Sequence, residues 1–275
     1  MPRLIRAALE RAEVKDAGRV SSGIDVVGDI AIVRLGDFSL VERRKVAAAL
    51  LEELRNVRVV LDQEGGIEGE YRLRKLRHLG GEKRTVTVHR ENGCSFRVDV
   101  AKCYFSPRLS TERLRIACGV KPNERVLNMF AGVGPFSIPI AKLKGAKVLS
   151  CELNGYAAKF HQENDRLNKV EGLVEVVNAD AADLPKITKR KFDRVLMPLP
   201  SESHRYLHTA FAMSKKGGTV HYYRHVLGED EREAAAALGE ELSTLVPKRT
   251  KFTMRRVREV GPRWVEMAAE IRAPG

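Results

Sequence analysis

A chain of 275 residues with 43% hydrophobic residues can bury a proper core, and its length favours two domains over one. Its 49 Lys and Arg outnumber 36 Asp and Glu, and the net charge of +13 is the footprint of a polyanion binder such as nucleic acid. No apolar run approaches the ~20 residues of a membrane span, Met1-Pro2-Arg3-Leu4-Ile5-Arg6 lacks a signal-peptide core, and the 4 cysteines form no C-x-x-C pair. These features set aside a membrane protein, a secreted protein and a structural zinc site, leaving a cytoplasmic, metal-free chain with reduced thiols.

Residues 1 to about 20 alternate apolar with basic positions, as a short helix or ordered lead-in would. Ile24–Leu35 reads as two strands joined at Gly28-Asp29. Ser39 with Glu42 forms a capping box ahead of an amphipathic helix over Val41–Leu54. Val57–Leu61 is expected as a strand and Gln63–Gly69 as a glycine-rich acidic loop. The basic run Tyr71–Leu79 reads as a strand with Arg72 and Arg74 on one face; Arg72, Arg74, Lys75 and Arg77 suit phosphate contacts, with one of them free to reach a base carbonyl. Arg84–Arg90 and Cys94–Asp99 flank Asn92-Gly93 as a hairpin. This half reads as a small α+β domain with a basic sheet.

A helix begins near Ser110 and runs through Ala117, and the domain boundary is placed there, giving domains 1–109 and 110–275 with no flexible linker. Strand and helix then alternate. Val126–Asn128 is a buried strand running into Met129-Phe130-Ala131-Gly132-Val133-Gly134-Pro135, a glycine turn that opens a helix at Ser137. Val148–Glu152 ends in an acid about 20 residues on, Val174–Asp180 ends in another, and Phe192–Met197 runs into Pro198-Leu199-Pro200. Further helices cover Gly155–Asn168, His204–Ala212 and Glu229–Leu242. Strands are expected at Thr219–Tyr223, Lys251–Val257 and Trp264–Ile271. The pattern is an α/β, doubly wound, mainly parallel sheet of class I (Rossmann-like) topology, closed by a terminal antiparallel hairpin.

Strand ends that deliver Gly, Glu, Asp and Pro in that order suit a nucleoside ligand. Two cofactors compete for such a site. NAD requires G-x-G-x-x-G, and position 137 is Ser, while Pro135-Phe136 is bulky where a pyrophosphate would sit. Asp180 has an obvious use in accepting a hydrogen bond from an adenine amino group, and Glu152 in holding a ribose. S-adenosyl-L-methionine is therefore the expected cofactor. Glu112, in the first turn of its helix, is open to two readings: an acid favoured by the helix dipole, or a general base.

The motifs Ser106-Pro107-Arg108-Leu109-x-x-Glu112-Arg113, Asn128–Phe136, Glu152-Leu153-Asn154 and Glu163-Asn164-x-x-Leu167-Asn168 resemble the archaeal–eukaryotic tRNA (guanine-37-N1) methyltransferases, relatives of the wybutosine-pathway enzymes. The resemblance runs from Ile24 onward. It implies methyl transfer from S-adenosyl-L-methionine to N1 of guanosine 37 in the anticodon loop, by a monomer whose tRNA base leaves its stack to react. It implies Glu112 as the base that takes the N1 proton and Arg72 as the group that steadies charge on the guanine O6. Tyr104, Arg108 and Arg113 would close over the methionyl end of the cofactor. Asn128, Phe130, Gly132 and Gly134 would line its floor, Glu152 and Leu153 its ribose, Asp180 and Ala181 its adenine, with Pro198 at the fourth strand end. Members often carry an N-terminal tRNA-elbow domain, and this chain begins within the second domain, as a short or shortened member would.

Two departures stand out. Asn128 replaces the family's usual Asp, which removes a negative charge near the sulfonium. Pro198 stands where the family carries Asn in Asn-x-Pro, so contacts to the base from that point must come from backbone carbonyls. A reshaped pocket would suit methylation at C7 of the wyosine precursor at the same nucleotide. Aminocarboxypropyl transfer from the same cofactor is disfavoured by the Glu112-Arg113 version of the motif. A tRNA-binding module that has lost catalysis is the alternative from another class.

Overall fold

The computed structural model describes Ala8, Arg11, residues 23–36 and residues 38–274, without the side chain of Glu68. Most of the lead-in expected before residue 20 lies outside the described residues. The chain divides into two compact units between Thr111 and Glu112.

The first unit holds β1 (Asp25–Val27), β2 (Ile30–Val33), α1 (Leu40–Glu53), β3 (Val59–Glu68), β4 (Leu73–Gly81), β5 (Val86–Glu91) and β6 (Cys94–Asp99). Its four-stranded sheet runs β1-β2-β3-β4, and α1 is the crossover between the parallel pair β2 and β3. Helix α1 starts where the sequence signals it: Ser39 Oγ accepts the Glu42 N–H, and the Ser39 N–H donates to Glu42 Oε2 at 2.8 Å. Val46, Ala47 and Leu50 are buried, in one core cluster with Ala31, Val33, Val60 and Leu79.

Two expectations fail here for one local reason. Gln63–Gly69 is strand up to Glu68, paired with β4 at Gln63↔Leu76 and Ile67↔Arg74, and the register shift between Gln63 and Ile67 absorbs the glycines as a bulge. Arg72 is not in the strand. It lies in the turn ahead of β4 at φ 55, with its N–H donated to Gly69 O at 3.0 Å. A loop reading of glycine and acid ignored that a bulge lets a strand continue.

β5 and β6 pair as the expected hairpin about Asn92-Gly93. The β1–β2 turn docks on it: the Gly28 N–H donates to His89 Nδ1 at 3.1 Å and the Asp29 N–H to Thr87 Oγ1 at 3.2 Å. The Arg84 guanidinium, 2.6 Å from Asp29, holds that carboxyl below the usual carboxylate range.

The second unit follows from α2 (Ser110–Gly119), whose first two residues precede the dividing point. It comprises β7 (Arg125–Asn128), α3 (Ser137–Lys144), β8 (Lys147–Glu152), α4 (Gly155–Leu167), β9 (Val174–Asn178), α5 (Leu184–Ile187) and β10 (Phe192–Met197). After these come α6 (Ser203–Met213), β11 (Ser214–Leu227), α7 (Glu231–Leu245), β12 (Phe252–Gly261) and β13 (Trp264–Arg272). The sheet order is β12-β13-β11-β10-β7-β8-β9, parallel from β11 to β9 and antiparallel at β13 and β12. This is the Rossmann-like class I arrangement with its terminal hairpin. Strand order reverses between β7 and β10, and in such sheets the crevice outside the carboxyl ends at that point receives the ligand. Leu127, Leu149, Val195 and Val220 are buried in the central strands, and Leu207, Leu238 and Leu242 from α6 and α7 share their core. Among the described residues, no helix is long and apolar enough to cross a membrane.

The docking turn makes a sharp demand at Gly28. It sits at φ 57, and a Cβ there would lie 2.2 Å from Thr87 Oγ1 and 2.6 Å from Val88 O. Gly28→Ala is expected to destabilise the first unit by more than about 1 kcal/mol, the usual cost of a strained backbone position. Thermal unfolding followed by circular dichroism checks it; an unchanged midpoint refutes the docking role.

Candidate active site

The glycine turn leaves β7 at Asn128 and enters α3 at Ser137. Asn128 is completely buried, and its amide donates to Ser137 Oγ at 3.0 Å, which also receives Ser150 Oγ–H at 2.8 Å. Asn128 therefore anchors the base of the turn from beneath and does not reach its outer surface. An amide serves this role better than a carboxylate, whose charge would be stranded in the core. Gly132 and Gly134 take φ 55 and 93. A Cβ on Gly134 would come within 2.8 Å of both the His161 ring and Ile138 Cδ1. The turn is thus pressed onto α4 with no room to spare.

Glu152, at the carboxyl end of β8, bridges the turn to its own strand end. Oε2 accepts the Gly132 N–H at 2.6 Å and Oε1 the Asn154 N–H at 2.9 Å. Burial raises its pKa, partly offset by those two donors. Asn178 closes the next gap by donating to the carbonyls of Glu152 and Leu153 at 2.7 and 2.9 Å. Asp180, past β9, caps the following turn by accepting the Ala182 N–H at 2.8 Å, and Ala181 is buried beside it. Phe130 stands edge-on to Tyr206 at 5.1 Å between centroids, and half-buried Pro198 follows β10. Each carboxylate keeps acceptor capacity beyond its backbone bonds. The donor set fits a nucleoside: acceptors for hydroxyl and amino hydrogens, apolar side chains alongside, and no basic side chain in the first turn of α3 for a pyrophosphate.

Glu112 lies deeper than either sequence reading implied. It is 4% exposed, and its carboxylate takes four donors. Oε1 accepts Arg115 Nη2–H at 2.9 Å and Tyr223 O–H at 2.7 Å; Oε2 accepts Arg115 Nε–H at 2.9 Å and Nη1–H of Arg255. Those four bonds fill the lone-pair sites of a carboxylate. Burial, then the nearby Glu112 charge, pushes the Tyr223 phenol well above its ordinary value, which keeps it a donor. To accept a proton, Glu112 must give up one partner, and Arg255, with its side chain 40% exposed on edge strand β12, is the most accessible of the three. Arg113 is buried with its guanidinium 6.0 Å from the Phe136 ring centre, against the glycine turn.

The remaining expected residues belong to the first unit. The Arg72 guanidinium lies over the Tyr104 ring at 5.1 Å. Arg108 Nε donates to Asp25 at 2.7 Å, and Arg74, 9% exposed, donates to Asp25 at 3.2 Å and to Phe105 O at 3.4 Å. Arg74 is thereby committed to the fold and is no phosphate contact, and Arg77 bonds Glu64. Arg34, which sequence reasoning missed, joins this group: burial first, and the neighbouring Arg74 charge next, lower its pKa. Sequence reasoning also missed Arg115, Tyr223 and Arg255, which stand 3, 111 and 143 residues from Glu112, and tertiary packing sets the last two. Only Arg115, one helical turn on, carried a local signal.

Comparison with known proteins finds a family and a fold. The TRM5/TYW2 methyltransferase domain matches residues 87–238, and the TYW2 N-terminal domain matches residues 4–85. A tRNA (guanine(37)-N(1))-methyltransferase, Trm5b of Pyrococcus abyssi, is 42% identical over 202 residues, covering 74% of this chain; the chain spans only 59% of that relative's length. The tRNA 4-demethylwyosine(37)-methyltransferase Taw21 of Saccharolobus solfataricus is 32% identical over 268 residues, covering 94% of this chain and 97% of its own. The solved complex of aTrm5 and tRNALeu superposes with a TM-score of 0.83 at 34% identity, over 98% of this chain and 77% of that one.

The thiol next to Glu152 supplies a direct check on burial at the site. Burial, reinforced by the Glu152 charge, pushes the Cys151 pKa up to about 12, whereas Cys118 is exposed. At neutral pH, iodoacetamide is expected to label Cys118 and leave Cys151 intact, as read by peptide mass spectrometry. Rapid native labelling of Cys151 would contradict the closed packing beneath the turn.

Proposed function

The chain belongs to the TRM5/TYW2 methyltransferase family, and we propose that it transfers the methyl group of S-adenosyl-L-methionine to N1 of guanosine 37 in tRNA. The observation that carries this reading is the junction of Gly132 and Glu152 across the carboxyl ends of β7 and β8, beside the sheet's switch point and in the same unit as the buried carboxylate of Glu112. The cofactor supplies an electrophilic methyl group on sulfur. Glu152 accepts from the ribose hydroxyls, Asp180 from the adenine amino group, and Gly132, Gly134, Phe130, Leu153, Ala181 and Pro198 form the surface around them. Tyr104, Arg108 and Arg113 are assigned to the methionyl end. Asn128 acts from below by holding the turn.

With the methyl group supplied by the bound cofactor, Glu112 would take the guanine N1 proton. Glu112 becomes available when Arg255 releases it, and Arg115 and Tyr223 keep its oxygens aimed. Arg72 donates to the guanine O6, where charge gathers as N1 loses its proton.

A second reading, methylation of 4-demethylwyosine at the same nucleotide, is favoured by one observation. The Taw21 relative matches this chain almost end to end, and Pro198, at the end of β10, offers no side-chain amide.

The two are separated by mass analysis of nucleoside 37 after reaction with tRNA bearing G37, A37 or 4-demethylwyosine, using methyl-labelled cofactor. Label on G37 and not on A37 is expected. Label on the precursor alone selects the second reading, and equal labelling of G37 and A37, or none on any substrate, overturns both. Glu112→Gln is expected to lower turnover by about 10²-fold or more with cofactor affinity retained. Its folding is checked by thermal unfolding, since two guanidiniums lose their anion. Full turnover in the variant would remove Glu112 from the chemistry.

A further inference from the structure

Trp264, the single tryptophan of the chain, is 44% exposed at the start of β13. The ladder places it opposite Leu227 of β11 and Gly261 of β12. Leu227 is 53% exposed, and Gly261 offers no side chain to cover the indole. Val260, in the irregular end of β12, is 38% exposed beside them. Helix α7 does not shield this face. It packs on the other side of the sheet, where Tyr222 donates its hydroxyl to Glu241 at 2.5 Å.

Side chains alternate along β13, so Trp264, Glu266, Ala268 and Glu270 share one face. Tyr223 and Arg255 are both opposite Ala268, and both bond Glu112. Trp264 and the Glu112 cluster therefore occupy the same face, four residues apart, or about 14 Å at ~3.4 Å per residue. The layer between them is polar: Glu266 with Arg258 at 2.7 Å and His225 at 3.8 Å. Arg263 pairs with Glu229 at 3.3 Å, and both side chains are about two-thirds exposed (69% and 67%). Such a pair contributes little and exchanges readily for a phosphate.

We propose that Trp264, backed by Leu227, is a stacking platform for an unpaired nucleobase of the RNA whose neighbouring base is delivered to Glu112. The proposal rests on the RNA-modifying function above. An exposed aromatic ring is the surface that single-stranded nucleic acids use, since every base has a face to stack. The net charge of +13 favours a polyanion over a protein partner.

The single tryptophan makes the test direct. The full chain is titrated with an anticodon stem-loop RNA carrying G37 while tryptophan emission is followed, and binding is measured in parallel by filter retention. Saturable quenching that tracks retention is expected. Trp264→Ala should weaken RNA binding by about 5- to 150-fold, the equivalent of 1–3 kcal/mol per stacked base, and should raise KM for RNA while cofactor affinity is kept. Trp264→Phe should restore most of the loss. RNA retention without any change in emission, or equal retention by Trp264→Ala, overturns the platform and leaves the methyl-transfer reading standing. No retention by the unaltered chain, together with no label transfer, brings down both. A shift to monomer in Trp264→Ala with RNA binding intact would assign the patch to a second copy of the chain instead.

Discussion

The carboxylate of Glu112 is the contact on which the second unit's architecture converges. One helix and two strands that are far apart in the chain meet there: α2 through Arg115, β11 through Tyr223 and β12 through Arg255. Arg115 also bonds Glu270 of β13 at 2.7 Å, so the terminal hairpin is tied to α2 twice. Beyond it, Arg194 joins β10 to Glu124 at 2.8 Å and approaches His221 Nε2 at 2.6 Å. Burial first, and then Arg194, depress the His221 pKa well below its ordinary value, so a neutral ring accepts that bond. A buried charge without its partner costs about 3–5 kcal/mol. This network therefore specifies how α2 lies on the sheet more strictly than apolar packing alone would.

The same saturation constrains chemistry. A base must have a free lone pair, and Glu112 has none while all four donors are in place. Tyr223 is fully buried and Arg115 grips both oxygens, so these two orient the carboxylate. Arg255 is half-exposed on an edge strand and can withdraw without uncovering the core. The proposed general-base role is compatible with this structural role only if one donor withdraws, and Arg255 is the one placed to do so. Glu152 shows a different solution, since its bonds are to backbone N–H groups that cannot leave, and its remaining acceptor capacity faces the site.

Much of this was legible in the sequence. The glycine turn, Glu152 and Asp180 stand at strand ends because each strand is a short, largely apolar run that closes in a polar residue. Ser39 and Glu42 marked the start of α1 by local chemistry alone. Failures came where a residue's setting was tertiary. Asn128 reads as a lining residue from its motif, yet its amide turns inward to Ser137. Arg74 reads as an exposed cation by alternation, yet Asp25, 49 residues earlier, draws it into the fold. Gln63–Gly69 reads as a loop because glycine and acid usually signal one, and only the partner strand reveals the bulge.

On the proposed reading, Pro198 bears on which base the site accepts. An asparagine at that point presents both a donor and an acceptor on a side chain, and so reads one edge of one base. Proline removes both, and the turn spends its own polar groups locally: the Leu199 N–H goes to Met197 O at 2.8 Å, and Ser203 Oγ–H lies 3.0 and 2.9 Å from the carbonyls of Met197 and Leu199. With less edge readout at the strand end, discrimination shifts to shape and to the groups that hold the flanking nucleotides. A tricyclic base offers more stacking area and fewer free edges than guanine, and a pocket of this kind loses less by accepting it. On the proposed reading, the wyosine precursor and guanosine 37 differ in how much of their recognition falls on stacking.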